Sequence, residues 1–210
     1  MARELDYKCK MCRREGIKLF LKGSRCDSPK CAIKRRDQAP GMHTRRGKPS
    51  EYAIRLREKQ KLKRFYGVLE RQFRRYFELA SRAPENTGEQ LLTIMERRLD
   101  NIVHRLGFAP NRTSARQMVA HGHVLLNGRK CNIPSLLVKS GDRIGVKNNP
   151  RSIQLVKLAL QQSPPPVPDY MTRTDAEPPE GTVLRLPVRD DVDPRIKDIR
   201  EQLIIEVCSR

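Results

Sequence analysis

The sequence contains no tryptophan, and its aromatic residues are limited to five phenylalanines and five tyrosines. No apolar stretch approaches the roughly 18 residues that a transmembrane helix needs, and the first residues lack the apolar core of a signal peptide. No basic helical segment carries the broad face with Trp or Phe that inserts into a membrane surface. We therefore expect a cytosolic (cytoplasmic) chain with no membrane partner.

Acidic side chains are also scarce, since 24 Asp and Glu stand against 44 Lys and Arg and give a net charge of +20 over 210 residues. Residues 1–82 hold 25 basic and 9 acidic side chains, and residues 97–157 hold 12 and 2. The stretches 83–96 and 158–210 are each net −3. Blocks this basic repel themselves unless phosphates neutralise them, so they indicate a nucleic-acid partner held mainly by phosphate contacts.

Four of the six cysteines crowd into the first 31 residues as two close pairs. They are Cys9, Cys12, Cys26 and Cys31. Each pair can bind one ion from one turn, and Ser28-Pro29 favours a tight turn in the second pair. The spacing predicts one closed, structural zinc site, although an iron-sulfur cluster uses the same ligands. Unrelated thiols or two disulfides are the other interpretation, and Cys131 and Cys208 are interpreted as packing residues.

The rest of the chain alternates between helical and extended patterns. From Ser50, apolar residues recur at helical spacing on both sides of Gly67, which predicts a helical hairpin whose aromatic residues form a core rather than a base-stacking platform. Thr87-Gly88-Glu89-Gln90 has the form of a capping box and opens one long helix that ends at Gly107. The later predictions are a short helix from Asn111 to Gly122, a hairpin at Asn127-Gly128, a strand from Arg143 to Val146, a helix from Ser152 to Gln161, an exposed proline-rich connection, and strand-like stretches at 182–188 and 203–207.

Residues 96–147 contain the motifs Arg98-Leu99-Asp100-Asn101, Arg105-Leu106-Gly107-Phe108 and Lys139-Ser140-Gly141-Asp142, and between them a run from Ala115 to Arg129. This region resembles the alpha-L RNA-binding module. A short basic helix and an adjoining hairpin would present several polar side chains to folded RNA and would recognise shape more than sequence. The candidate RNA-binding residues are Arg112, Ser114, Arg116, Gln117, His121, His123 and Lys130.

The motifs Arg13-Arg14-Glu15-Gly16, Tyr66-Gly67-Val68-Leu69-Glu70 and Asn86-Thr87-Gly88-Glu89, with the ending Leu203 to Arg210, extend the resemblance to nearly the whole chain. Together they resemble universal small-subunit ribosomal protein four in its bacterial, metal-bearing (four-cysteine) form. Only residues 161–181 match poorly, so their path stays open.

The resemblance implies an α+β fold with an N-terminal four-cysteine metal knuckle, a helical domain, and an inserted alpha-L RNA-binding domain with a small β-hairpin sheet. The expected boundaries are 1–48 for the metal knuckle and basic arm, 49–94 plus 188–210 for the helical domain, and 95–187 for the RNA-binding domain, with its core at 97–147.

The resemblance also implies a function: a structural component of the small ribosomal subunit, without enzymatic activity, that binds rRNA early and nucleates assembly of the subunit body. The expected partners are the five-prime domain of small-subunit ribosomal RNA, small-subunit ribosomal protein five, and mRNA near the channel where it enters the ribosome, where a contribution to translational accuracy is expected. The arm that matches the channel segment carries His43, Arg45, Arg46 and Lys48.

Two other classes of protein share parts of this pattern. RNA-modifying or aminoacylating enzymes also carry alpha-L modules, but outside the module the sequence shows no nucleophile-base pair, phosphate-binding glycine loop or pair of acids. A metal-knuckle regulator that binds RNA off the ribosome is the second alternative.

Overall fold

The structure is a computed structural model that describes residues 6–42, 47–162, 164–174 and 176–209. The chain divides into two compact units. Unit 1 comprises Met1–Leu92 and Asp193–Arg210, and unit 2 comprises Thr93–Val192. In the part of the chain that is described, no helix is long and apolar enough to cross a membrane.

Unit 1 is built from helices. In chain order they are α1 (Lys8–Glu15), α2 (Ala32–Arg35), α3 (Glu51–Tyr66), α4 (Glu70–Ser81) and α9 (Glu201–Cys208), with short 3-10 helices at Gly23–Cys26 and Pro194–Ile196. A further helix, α5 (Thr87–Glu96), leads out of this part of the sequence. The helices α1 and α2 form although the first 48 residues show no sustained helical periodicity in the sequence.

The helices predicted on the two sides of Gly67 are confirmed as α3 and α4, but α3 packs mainly against α9 rather than against α4 as a hairpin. The hydroxyl of Ser50 accepts a hydrogen bond from the backbone N–H of Ala53 and caps α3, and Gly67, at φ +64°, ends it. Phe65, Phe73 and Tyr76 are buried as predicted, whereas the prediction that Tyr52 belongs to the core was wrong, because Tyr52 is 59% exposed. The carboxylate of Glu70, at the start of α4, accepts hydrogen bonds from two lysines of α3. One oxygen accepts from Lys59 at 2.5 Å and the other from Lys63 at 2.8 Å.

The strand-like stretch predicted at 203–207 was wrong, because it lies within the helix α9. Ile204 is fully buried and α9 packs against α3, where Arg55 forms an ion pair with Glu206. Branched side chains such as Ile204 and Val207 prefer strands locally. Here the buried face offered by α3 overrides that preference.

Two helices replace the single helix predicted between Thr87 and Gly107. The helix α5 is followed by α6 (Leu99–Arg105), and Arg98 between them is extended, with φ −64° and ψ 136°. The backbone of Leu99 donates to Leu136, and that of Val138 donates to Arg97, both at 2.9 Å. Because the backbone around Arg98 pairs with residues 136–138, the predicted long helix is interrupted at Arg98.

The capping box predicted at Thr87 was also wrong. Asn86 caps α5 instead, since its side-chain oxygen accepts from the backbone N–H of Gly88 at 3.0 Å.

Unit 2 combines helices with one antiparallel sheet. After α6 it contains α7 (Arg112–Ala120), β1 (Val124–Leu126), β2 (Arg129–Cys131), β3 (Arg143–Val146), α8 (Pro150–Gln161), β4 (Met171–Thr174) and β5 (Glu180–Val183). The strand order is β2-β1-β3-β5-β4. The hairpin predicted at Asn127-Gly128 is confirmed, with φ +50° and +77° at the two turn residues. The sheet is larger than predicted, because β4 lies in the region whose path was left open. The strand-like stretch predicted at 182–188 is confirmed only for the end of β5 at Thr182 and Val183, and residues 184–188 are not in a strand.

The core of unit 2 lies between this sheet and helices α6, α7 and α8. Leu99, Phe108, Val119, Ile144 and Val156 are among its fully buried members. The helical and sheet elements together confirm the α+β class. This core fixes α7 and the β1–β2 hairpin beside each other, and these two elements carry the candidate RNA-binding residues.

Candidate nucleic-acid interface

The four N-terminal cysteines come from three short elements. Cys9 and Cys12 lie one helical turn apart on α1, Cys26 ends the 3-10 helix, and Cys31 precedes α2. The turn predicted at Ser28-Pro29 is confirmed, because the backbone N–H of Cys31 donates to the carbonyl of Ser28 at 3.1 Å. All four cysteines line one small cavity of about 20 Å³.

All six cysteines of the chain are free thiols, so the disulfide interpretation is not supported. Burial raises the pKa of the Cys12 thiol, and the other three cysteines of the cluster raise it further. Thiolates crowded in this way favour a cation among them, and four sulfurs are the donor set that zinc prefers. In the described residues, however, no group of three or more His, Cys, Asp or Glu side chains forms a metal-ligand set.

A buried carboxylate joins the cysteine-bearing helix to α3 within unit 1. Glu15, at the end of α1, accepts a hydrogen bond from Arg57 of α3 at 3.2 Å and another from Arg64. Its second oxygen is buried and has no hydrogen-bond partner. Burial raises the pKa of Glu15, against the opposing effect of the two arginines. The pairing fixes α1 against α3.

The helix α7 begins as predicted, because the side chain of Asn111 accepts from the backbone N–H of Ser114 at 2.9 Å. Arg112 is buried and its Nε donates to Asn101 at 2.8 Å. The amide of Asn101 in turn donates to Glu96 at 2.6 Å. Arg112 is therefore part of a buried polar network in unit 2.

Arg116 belongs to a second buried network. Arg98 is 1% exposed and Asp100 is 3% exposed, and the two form a bidentate ion pair in which one contact measures 2.9 Å. The same carboxylate accepts from Arg116 at 3.1 Å. The buried Asp100 therefore orients Arg116, whose side chain is 21% exposed. Because the guanidinium is already held in place, it would lose little side-chain conformational entropy when it binds a ligand.

Four of the predicted residues meet around one surface cavity in unit 2. Ser114, Gln117, His121 and His123 line a cavity of about 360 Å³ between α7 and α8. The imidazole centroids of His121 and His123 lie 6.2 Å apart. Nδ1 of His123 is 2.9 Å from the hydroxyl of the buried Ser152, and burial followed by the charges of His121 and Lys147 lowers the pKa of His123. The lowered pKa favours the neutral form of the His123 imidazole.

Lys130, the last predicted RNA-binding residue, is exposed on β2, and its side chain lies over Gly122. Several other basic residues of the same unit are exposed and were not among the predicted RNA-binding residues. They are Arg129, Lys139, Arg143, Lys147 and Arg151. The exposure of Arg129 could have been expected from the sequence, since Arg129 follows the turn predicted at Asn127-Gly128, where side chains face solvent. Among the residues of the predicted mRNA arm, Lys48 is exposed, and His43, Arg45 and Arg46 lie outside the described residues.

Family comparisons divide the chain in sequence into two matched regions. The model described as the Ribosomal protein S4/S9 N-terminal domain matches residues 3–96. The model described as the S4 domain matches residues 97–144, which contain α6, α7, β1, β2 and the first two residues of β3.

Curated relatives match along the full length. The chain is 53% identical over 211 residues to small ribosomal subunit protein uS4A of Symbiobacterium thermophilum, with 100% of both chains covered. It is 51% identical over 211 residues to small ribosomal subunit protein uS4 of Halothermothrix orenii, again with 100% of both covered. The protein of the same name from Pelotomaculum thermopropionicum is 51% identical over 215 residues at the same coverage.

Proposed function

The chain belongs to the ribosomal protein uS4 family, and from that premise we propose that it binds ribosomal RNA early and nucleates assembly of the small-subunit body. Its membership makes it a structural component of the small ribosomal subunit and not an enzyme. The observation that carries the proposal is the full-length similarity, which includes both the N-terminal region and the S4 domain. An enzyme with an appended module would match over the module alone.

Co-sedimentation separates this function from that of a regulator acting off the ribosome. The tagged chain is expressed in bacteria, small subunits are isolated, and the subunits are washed with high salt. An integral component stays with the subunit because much of its surface is buried against RNA, whereas a regulator held by exposed charges dissociates. Recovery of the chain in the wash would contradict the proposal.

The RNA-binding surface is proposed to combine the α7 face with the β1–β2 hairpin. Exposed charges such as Lys130, Arg129 and Lys147 are suited to phosphates, and Arg116 adds an oriented guanidinium. The five-prime domain of small-subunit rRNA is the proposed target. The basic segment that includes Lys48 is proposed to face mRNA where it enters the ribosome, and small-subunit ribosomal protein five is proposed as the protein partner.

The cysteine cluster is proposed to hold one structural zinc ion through Cys9, Cys12, Cys26 and Cys31. The shared cavity and the uniform set of sulfur donors support this proposal. A bound ion would link α1 to the segment around Cys31 and stabilise the fold of a region that has few buried apolar residues. Elemental analysis of protein purified without chelators tests the proposal, and iron with visible absorbance would indicate a cluster instead.

A further inference from the structure

We propose that the cavity between α7 and α8 receives one unstacked nucleobase of the bound RNA. The inference deepens the proposed function and rests on it, because it assigns a ligand to part of the proposed RNA-binding surface. The cavity measures about 360 Å³, which is within the size range of small-ligand pockets.

The chemistry of the lining excludes a phosphate as the ligand. No Lys or Arg is among the described residues that line the cavity. Exposed cations nearby in the sequence include Lys147, just before α8, and Arg151, in its first turn. Buried Phe108, Met118 and Ala159 supply apolar surface. A phosphate would lose its hydration here without gaining an opposite charge. A flat, largely apolar base loses less.

The polar groups of the lining are those that recognise base edges. The side-chain amide of Gln117 is exposed and has both a donor and an acceptor, which suits a base edge. Because Nδ1 of His123 is engaged with Ser152, its Nε2 is the ring nitrogen available to a ligand. His121 is exposed beside it and offers a ring face for stacking, as histidines do in RNA complexes.

Two leucines of α8 add partly exposed apolar surface to the cavity. Leu155 and Leu158 of α8 also line the cavity, yet they are 47% and 49% exposed. Neither leucine is therefore fully packed within unit 2. Against the face of a base they would be covered, and the surrounding exposed cations would hold the flanking phosphates.

The experiment measures binding of the full chain to a transcript of the five-prime rRNA domain over a series of salt concentrations. Leu158→Ala and Gln117→Ala remove pocket groups without changing charge, and Leu79→Ala removes an exposed helical leucine of unit 1 as a matched control. We expect each pocket variant to weaken binding about 10-fold, in keeping with base-stacking contributions, with an unchanged salt slope. The control should bind as the wild type does.

Base-specific chemical probing provides the second readout. One nucleotide is expected to be protected at its base in the wild-type complex and to regain reactivity in the Gln117→Ala complex, while backbone protection stays the same. Wild-type affinity in both pocket variants would overturn the inference. So would a loss that appears only when other small-subunit proteins are present, because that result assigns the cavity to a protein side chain. If the wild-type chain itself fails to bind the transcript, the proposed function fails instead.

Discussion

The two units use positive charge in different ways. In unit 1, basic side chains of α3 surround single carboxylates but stay partly exposed themselves. Lys59 and Lys63 bind the partly exposed Glu70. Arg57 and Arg64, which are 36% and 21% exposed, bind the buried Glu15. In unit 2, arginines enter buried networks, and Arg98 and Arg112 are almost inaccessible. The net charge of a segment therefore measures the positive surface of unit 1 better than that of unit 2. In unit 2, part of the charge builds the frame that positions the rest.

The largest expected effect tests whether unit 1 depends on its cysteines while unit 2 does not. Cys26→Ser removes one proposed metal ligand, and structural zinc binding contributes about 10 to 16 kcal/mol in small peptides. We expect loss of bound metal and rapid proteolysis within residues 6–42, with the fold of unit 2 intact. Limited proteolysis and metal analysis check this result. Cys131→Ser, in unit 2, is the control, and equal metal content in the two variants would contradict the prediction.

The next effect tests the buried network of unit 2. Asp100→Ala leaves Arg98 buried without its carboxylate, and removing one partner of a buried ion pair lowers the free energy of unfolding by about 3 to 5 kcal/mol. Urea denaturation followed by circular dichroism measures the loss. Asp190→Ala, at an exposed position of the same unit, should change stability little.

A double variant separates the charge from the contact in this network. Combining Asp100→Ala with Arg98→Met removes the uncompensated charge, so we expect the double variant to be more stable than Asp100→Ala alone. If it is less stable, the arginine stabilises unit 2 mainly through its packing rather than through its charge.

A smaller effect concerns the exposed cations of unit 2. Arg129→Ala and Lys147→Ala should each weaken binding to the five-prime rRNA domain and lower the salt slope by about 1, as expected for one phosphate contact. Lys157→Ala is the matched control, because Lys157 is already paired with Glu177 at 2.6 Å. Filter binding at several salt concentrations distinguishes these outcomes. Identical slopes in all three variants would show that the exposed charge of unit 2 does not face RNA.

The smallest effect is a pH dependence of unit 1. Burial alone would raise the pKa of Glu70, but hydrogen bonds from Lys59 and Lys63 outweigh it and lower the pKa to about 2. A lowered pKa means that ionised Glu70 stabilises the fold above pH 4.5, and that this contribution is lost as the pH falls from 4.5 towards 2. The carboxylate is 37% exposed, so we expect less than about 1 kcal/mol.

Comparison of the wild type with Glu70→Gln by thermal unfolding isolates this contribution. The difference between the two proteins should be present at neutral pH and should shrink as the pH approaches 2. A difference that is constant across this range would assign the effect to the lost hydrogen bonds rather than to the ionised carboxylate.

Local signals in the sequence predicted much of unit 2. Asn111, Gly122 and Asn127-Gly128 act through their own backbone preferences, so the ends of α7 and the hairpin turn were predictable. The break at Arg98 was not, because it depends on pairing with residues 136–138, far along the chain. The helical form of α9 likewise depends on its contact with α3.

The candidate site shows the same limit. Residue types placed Arg112 and Arg116 on the RNA-binding surface, and the structure shows the first buried against Asn101 and the second held by Asp100. The cavity that Gln117 and His123 line is completed by residues of α8, and no pattern within any one segment encodes that packing.

The position of α9 has a consequence for how the chain folds during its own synthesis. The helix packs on α3, so unit 1 is assembled from the first part of the sequence and a segment made after residue 192. Unit 2 is continuous in sequence and is complete before α9 has been translated. Domains usually fold as units in the order in which they are made. Unit 2 can therefore reach its final structure before α9 has been synthesised and has packed against α3.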